Sequence, residues 1–375
     1  MAPTEVPAWL VVLATLFGSA VWLVAVLGNV LVVTVIKRSR RLQSTTNFFV
    51  VSLAFSDITT SVFCLPLFIV ATATQSWYFG SFMCQFSRFI QVATLSSVVA
   101  VILCISVDRF YTIIYPLSFK ITRSKAKKLI ACSWAVSFIL GSPCFYFFKF
   151  SEHSDQACYQ YFLRSNQISS VEYVFAVIYI YSVTFLVMIL PGVVISLTYT
   201  RIFRYIWVFN CQKRTFQRTA NTVPRSKVKN VKMLMIVSVS TFILWIPYFF
   251  LLLLEVSVES ISIPPALWLA GTWIAFAVCA LKPTLYLVYN SNFRRGCKEV
   301  FCLSSQKCYR KETYAITHAT RLARKHRVGT ISSNIEFVSN GEPQKVSTYE
   351  SFDREGKGDK NISWPLSSGT TSTYL

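Results

Sequence analysis

Between Val6 and Ile36 the chain carries no charged residue. A helix needs about 20 apolar residues to cross the hydrocarbon core of a bilayer, so this stretch can span one with residues to spare. Six further apolar runs follow at 46–70, 83–107, 128–148, 173–199, 232–254 and 265–289, giving seven predicted spans. Only 14% of the residues are charged, where a soluble protein carries about 25%. Buried helices of a large soluble core would need amphipathic stripes and many more charges between them. The expected fold is therefore all-α, a seven-transmembrane helix bundle.

The net charge of +21 is not spread evenly. With the N-terminus outside, Lys37, Arg38, Arg40 and Arg41 fall on the first inner loop, and Lys120, Arg123, Lys125, Lys127 and Lys128 on the second. The third inner loop adds nine more basic residues between Arg201 and Lys232. The outer segments hold Lys149 and Arg164 against Glu5, Glu152, Asp155, Glu172, Glu255 and Glu259. This positive-inside asymmetry orients a multi-pass plasma-membrane protein with its N-terminus outside. The basic charge then faces the anionic inner leaflet, and nothing calls for nucleic acid. Residues 1–8 form a short extracellular N-terminus, 9–290 the bundle, 291–303 an amphipathic membrane-surface helix and 304–375 a disordered cytoplasmic tail. The first span is expected to serve as its own insertion signal, because Met1–Ala8 lacks a basic leader. The Asn361-Ile362-Ser363 sequon falls on the cytoplasmic side. The absence of an internal repeat weighs against transporters built from paired halves.

The eleven cysteines sort by compartment. Cys64, Cys104, Cys132, Cys144 and Cys279 lie within spans, and Cys211, Cys297, Cys302 and Cys308 face the reducing cytoplasm. Only Cys84 and Cys158 face an oxidising space, so the outer face permits one disulfide.

The spans also carry motifs in a fixed order: Gly28-Asn29, then Leu53-Ala54 with Asp57, then Trp77-Tyr78-Phe79-Gly80 leading to Cys84. Asp108-Arg109-Phe110 closes the third span, Trp134 and Pro143 mark the fourth, and Pro191 and Tyr199 the fifth. Trp245-Ile246-Pro247 lies in the sixth and Lys282-Pro283-Thr284-Leu285-Tyr286 in the seventh. Over nearly all of residues 10–303 the chain resembles the rhodopsin-like (class A) G-protein-coupled receptors. Two departures stand out: Phe110 where the family has tyrosine, and Lys282 where it has asparagine or aspartate.

The resemblance implies a receptor that passes an extracellular signal to a heterotrimeric G protein. Arg109, held by Asp108 at rest, would swing towards Tyr199, Tyr286 and the G-protein tail. Relatives lock this arginine with an acid twenty residues before the span-6 proline, where this chain has Lys227; a lysine cannot form that lock, so signalling without ligand is expected. Pro191 and Pro247 interrupt their helices, Pro283 belongs with the activation switches that the resemblance implies, and Trp245 is the expected floor of the outer cavity. Thr241 stands where relatives place a phenylalanine. Gln91 replaces the aspartate of amine receptors, so the unknown ligand is not a monoamine. Phe276 occupies the position of the opsin lysine, so a retinal Schiff base is not expected. Arg88 is a cation facing the outer cavity, to be met by an acidic ligand group or by Glu255 or Glu259 across the bundle. The acidic outer loops suit a basic peptide.

Beyond span 7, Phe293, Cys297, Val300 and Phe301 share the apolar side of the surface helix, opposite Arg294, Arg295 and Lys298. Cys302 and then Cys308 are the palmitoylation candidates. The Ser/Thr-rich tail suits phosphorylation and arrestin capture, and Thr373 with Leu375 reads as a PDZ ligand. No cofactor, metal or catalytic constellation is expected, and no enzyme.

Charge inside hydrocarbon needs a partner. Asp57 lies about ten residues from the inner end of its span and Lys282 about eight from the inner end of its own, roughly 15 Å and 12 Å deep by helical rise. The resemblance implies that the two positions face one another, where relatives bind sodium. Val98, Val278 and Cys279 stand at the matching neighbour positions and are poor sodium ligands. Lys282 is therefore expected to be a built-in cation for Asp57. In the alternative reading the chain is a transporter or proton channel, with Asp57 and Lys282 as its relay.

Overall fold

A computed structural model describes residues 6–39, 42, 44–115, 121–150, 158–160, 170–215, 225–258 and 263–302. Among the described residues seven helices are long and apolar enough to cross a membrane: span 1 Ala8–Arg38, span 2 Thr45–Thr74, span 3 Gly80–Ile114, span 4 Arg123–Phe147, span 5 Val171–Val208, span 6 Lys229–Ser257 and span 7 Pro265–Tyr289. A surface helix follows at Ser291–Cys302. The spans correspond to the apolar runs of the sequence, but several helices run further. Span 3 continues through Asp108 and Arg109 to Ile114, because charged side chains at the water interface do not break a helix.

Proline and glycine set the irregularities. Span 2 breaks at Cys64, two residues before Pro66, which has no N–H to continue the ladder. Its outer end closes on Gln75 in the left-handed conformation (φ 53°). Gly80 (φ 70°) then turns the chain into span 3, in a conformation that costs glycine little. The buried Trp77 braces this turn by donating Nε1–H to the Gly80 carbonyl at 3.0 Å. Span 5 widens to a π turn at Phe185–Ile189, just ahead of Pro191.

Between spans 4 and 5, strands β1 (Phe148–Phe150) and β2 (Cys158–Gln160) pair antiparallel, with Phe148 opposite Gln160 and Phe150 opposite Cys158. The Cys84–Cys158 disulfide, Cα–Cα 5.5 Å, ties this hairpin to the top of span 3.

In lipid, helices are held by close packing rather than by exclusion from water, so small residues let backbones approach. Span 1 meets span 7 in this way. A Cβ at Gly18 would lie 2.5 Å from the Trp273 ring, and one at Gly28 2.7 Å from Pro283. Among the described residues two large apolar cores result, one towards the inner end around Val32, Leu53, Ile102 and Tyr286, the other towards the outer end around Phe68, Trp245, Trp273 and Phe276, with a smaller cluster of Trp77, Cys84, Cys144 and Phe148 beside them. Phe242 packs against both.

The surface helix is capped by Asn290, whose Oδ1 accepts the Phe293 N–H at 3.1 Å. Phe293 and Cys297 are buried, and Gly296 sits against Val35, Leu42 and Ser39 at the inner end of span 1. Phe301, on the same apolar side, is 64% exposed within the protein, as a side chain turned towards lipid would be. At 100° per residue it falls at the edge of the packed stripe rather than within it.

Candidate functional site

The residues singled out in the sequence gather at three depths. At the outer end a cavity of about 50 Å³ lies between spans 3, 5 and 6 and the β1 strand, lined among others by Gln91, Leu95, Phe148, Tyr179, Val183, Trp245, Tyr248 and Leu252. Trp245 meets Tyr248, Phe249 and Phe276 in ring contacts at 5.6, 6.0 and 6.4 Å. Pro247, two residues on, lies inside the same helix. Phe276 touches Phe68 at 5.2 Å, so aromatic contacts run from span 6 through span 7 to span 2.

Arg88 stands beside this cavity. Its Nη1 donates to Gln91 Oε1 at 3.1 Å, and its guanidinium lies 4.8 Å from the Phe68 ring centre and 5.5 Å from that of Phe148. Its Nε is buried with no hydrogen-bond partner. Glu255 stands at the outer end of span 6 and is not part of the cavity lining; Glu259 falls outside the described residues.

At mid-depth, Lys282 Nζ donates to Asp57 Oδ1 at 2.8 Å, with the two side chains 1% and 3% exposed. Asn29 Nδ2 donates to the Cys279 carbonyl at 3.0 Å and ties span 1 to span 7 beside the pair. Asp57 Oδ2 and Asn29 Oδ1 are buried without partners. Pro283 follows Lys282 inside span 7.

At the inner end a second cavity, about 260 Å³, is lined by Thr46, Asp108, Arg109, Asn230, Met233, Leu234 and Tyr286 among others. Arg109 Nε donates to Asp108 Oδ2 at 3.1 Å, and Nη2 donates to both Asp108 Oδ2 and Thr46 Oγ1. The arginine is thus held by its own neighbour and by span 2, with no hydrogen bond to Tyr199 or Tyr286 among the described residues. Both tyrosines are buried with hydroxyls that have no hydrogen-bond partner. The side chains of Lys227 and Cys302 lie outside the described residues, as do Cys308, Thr373 and Leu375. On the surface helix the Cys297 thiol is pushed above its ordinary range by burial.

Three participants were not found from sequence. Thr46 gives no signal, because a threonine near a helix start reads as a cap. Phe148 reaches the cavity only through the fold of the hairpin. Phe242 was one apolar residue among many, yet it packs both cores while Thr241 bonds back to the Val237 carbonyl at 2.8 Å.

Residues 28–286 match the profile of the 7 transmembrane receptor (rhodopsin family). Over 363 residues the chain is 41% identical to Probable G-protein coupled receptor 19 of Mus musculus, covering 96% of this chain and 84% of that one. Identity to the Homo sapiens protein of the same name is also 41%, over 365 residues and the same shares. The Substance-P receptor of Aquarana catesbeiana is 26% identical over 372 residues, 98% of this chain and 88% of its own. The chain belongs to the rhodopsin family of seven-transmembrane receptors, the class A G-protein-coupled receptors.

Proposed function

We propose that this receptor responds to a peptide at its outer face and relays the event to a heterotrimeric G protein through span 6. One observation carries the reading: span 6 lines both cavities, as span 3 does. Trp245, Tyr248 and Leu252 of span 6 face the outer one, and Asn230, Met233 and Leu234 of the same span face the inner one beside Arg109. A ligand that shifts Trp245 would bias span 6, with Pro247 as the point of bending, between a closed arrangement and one that exposes Arg109. The peptide class is supported by the likeness to a receptor named for substance P and by the acidic outer loops. Arrestin recruitment and PDZ binding by the Ser/Thr-rich tail belong to the same reading.

The test is nucleotide exchange on a panel of purified G proteins by the purified receptor, with and without a tissue peptide extract. Exchange that rises with extract, and is lost when the extract is digested with protease, supports the proposal. Stimulation that survives digestion removes the peptide class. Ion flux in receptor-containing vesicles, with no exchange on any G protein, would instead support the relay reading of Asp57 and Lys282.

A further inference from the structure

Arg88 has no carboxylate partner among the described residues and borders an apolar cavity. From this we infer that the outer site receives the C-terminal residue of a peptide, with its free carboxylate on the Arg88 guanidinium and its aliphatic side chain in the cavity. The inference rests on the peptide reading above and gives it a chemistry.

Arginine presents five N–H donors in a rigid fork. At Arg88 donors go to Gln91 at 3.1 Å and to the Tyr248 hydroxyl, while Nε is buried and unmet. The Phe68 and Phe148 rings hold the guanidinium in place but accept only weakly. A half-buried cation without a counter-ion among the described residues is costly, and its planar fork matches a carboxylate. The ligand side of this site is therefore an anion.

The cavity sets what that anion is attached to. Its volume of about 50 Å³ is room for a few waters, at about 10–15 Å³ each, and so for one short side chain. A branched aliphatic side chain enters with small rotations of the lining, whereas a lipid chain or a fused ring system does not. Leu95, Ile180, Val183 and Leu252 give it an apolar wall. Gln91 and Phe148 touch Arg88 and also line the cavity, so the anion and the aliphatic group must be close neighbours on the ligand. In a C-terminal residue a single Cα separates the two. An internal aspartate or glutamate would instead bring peptide N–H and C=O groups against the apolar wall, where they would be left unpaired. A chain of contacts from Arg88 to Phe68, from Phe68 to Phe276 and from Phe276 to Trp245 joins the carboxylate site to the span-6 tryptophan.

The probes are N-acetylated tetrapeptides ending in Val, Leu or Ile, each as free acid and as amide, added to the purified full-length receptor. The readout is its unfolding temperature. At concentrations well above Kd a bound free acid is expected to raise that temperature by about 3 °C or more, while the amide of the same sequence needs at least a tenfold higher concentration. Arg88→Gln should erase the acid preference, Arg88→Lys should keep part of it and so guards against a folding defect, and Leu252→Trp should abolish the shift by filling the cavity. Equal stabilisation by acid and amide overturns the carboxylate site and leaves the peptide reading standing. The same holds if no member of the panel shifts the wild-type receptor while protease-sensitive extract activity persists. An acid preference that survives Arg88→Gln places the anion elsewhere and also overturns it.

Discussion

Lys282 and Asp57 are 225 positions apart in sequence and meet at 2.8 Å in the middle of the bundle, both almost fully buried. Their contact joins span 7 to span 2 beside the Asn29 bridge to span 1. Neither charge has water to fall back on. Each is tolerable in hydrocarbon because the other is there.

Removing one partner should therefore hurt more than removing both. Breaking a buried pair from one side typically costs about 3–5 kcal/mol, since a lone charge remains. Lys282→Met is expected to lower the unfolding temperature of the purified receptor markedly. The double variant Asp57→Asn with Lys282→Asn should recover part of that loss. Additive effects in the cycle would show that the two residues do not act as a pair.

The same ammonium should make the receptor indifferent to sodium. At an effective dielectric of about 20, two unit charges about 4 Å apart repel by about 4 kcal/mol, and Val98, Val278 and Cys279 offer a second cation hydrocarbon and a thiol in place of oxygen ligands. Exchanging sodium chloride for choline chloride should leave basal nucleotide exchange and unfolding temperature unchanged. A clear sodium effect that disappears in Asp57→Asn would place the ion where Lys282 is expected to stand.

The seven spans were readable because lipid imposes one blunt demand, a charge-free run of helix length. Asp57 and Lys282 stood out against that demand, and the rise per residue placed them at similar depth. The packing between spans was less readable. Arg88 also stood out, but its neighbours did not: Phe68 comes from beyond the break at Cys64, and Phe148 from a hairpin whose register depends on long-range contacts. Thr46 and Phe242 are common residues at unremarkable positions. Only the packed bundle shows that one caps Arg109 and the other touches both cores.

Gly28 has no room for a side chain. A Cβ there would lie 2.7 Å from the Pro283 ring, next to Lys282. Overpacking of this kind typically costs about 1–3 kcal/mol. Gly28→Ala should lower thermal stability, and Gly28→Leu should abolish surface expression. Wild-type stability in Gly28→Ala would mean that spans 1 and 7 are more loosely packed than the structure has them.

On the surface helix, Cys297 is packed against the bundle and burial raises its thiol pKa, which lowers its thiolate fraction at neutral pH. Lipidation should therefore fall on Cys302. Palmitate incorporation is expected to persist in Cys297→Ser, to drop by more than half in Cys302→Ser, and to be lost when Cys308 is changed as well. Loss of label in Cys297→Ser alone would reverse the assignment.

The resting hold on Arg109 comes from span 2, and this governs how the receptor should behave without ligand. Thr46 Oγ1 accepts from the guanidinium and Asp108 neutralises it, so in the proposed activation an Arg109 that turns to a G protein gives up the threonine contact. A hydrogen bond to a charged group contributes about 1.5–3 kcal/mol in protected sites. Arg109 is 18% exposed, so about 1 kcal/mol is the better figure, or roughly a fivefold change in the open fraction. Thr46→Val should therefore raise basal nucleotide exchange several-fold, while Thr46→Ser, which keeps the acceptor, should leave it near wild type. Lys227→Glu acts in the opposite direction, because it returns to span 6 the acid that the resemblance expects there, and basal exchange should fall. Combined with Thr46→Val, it should offset much of the rise. Basal exchange that is unmoved by both substitutions, at equal surface expression, would mean that Arg109 is held by neither helix and that the resting state is set elsewhere in the bundle.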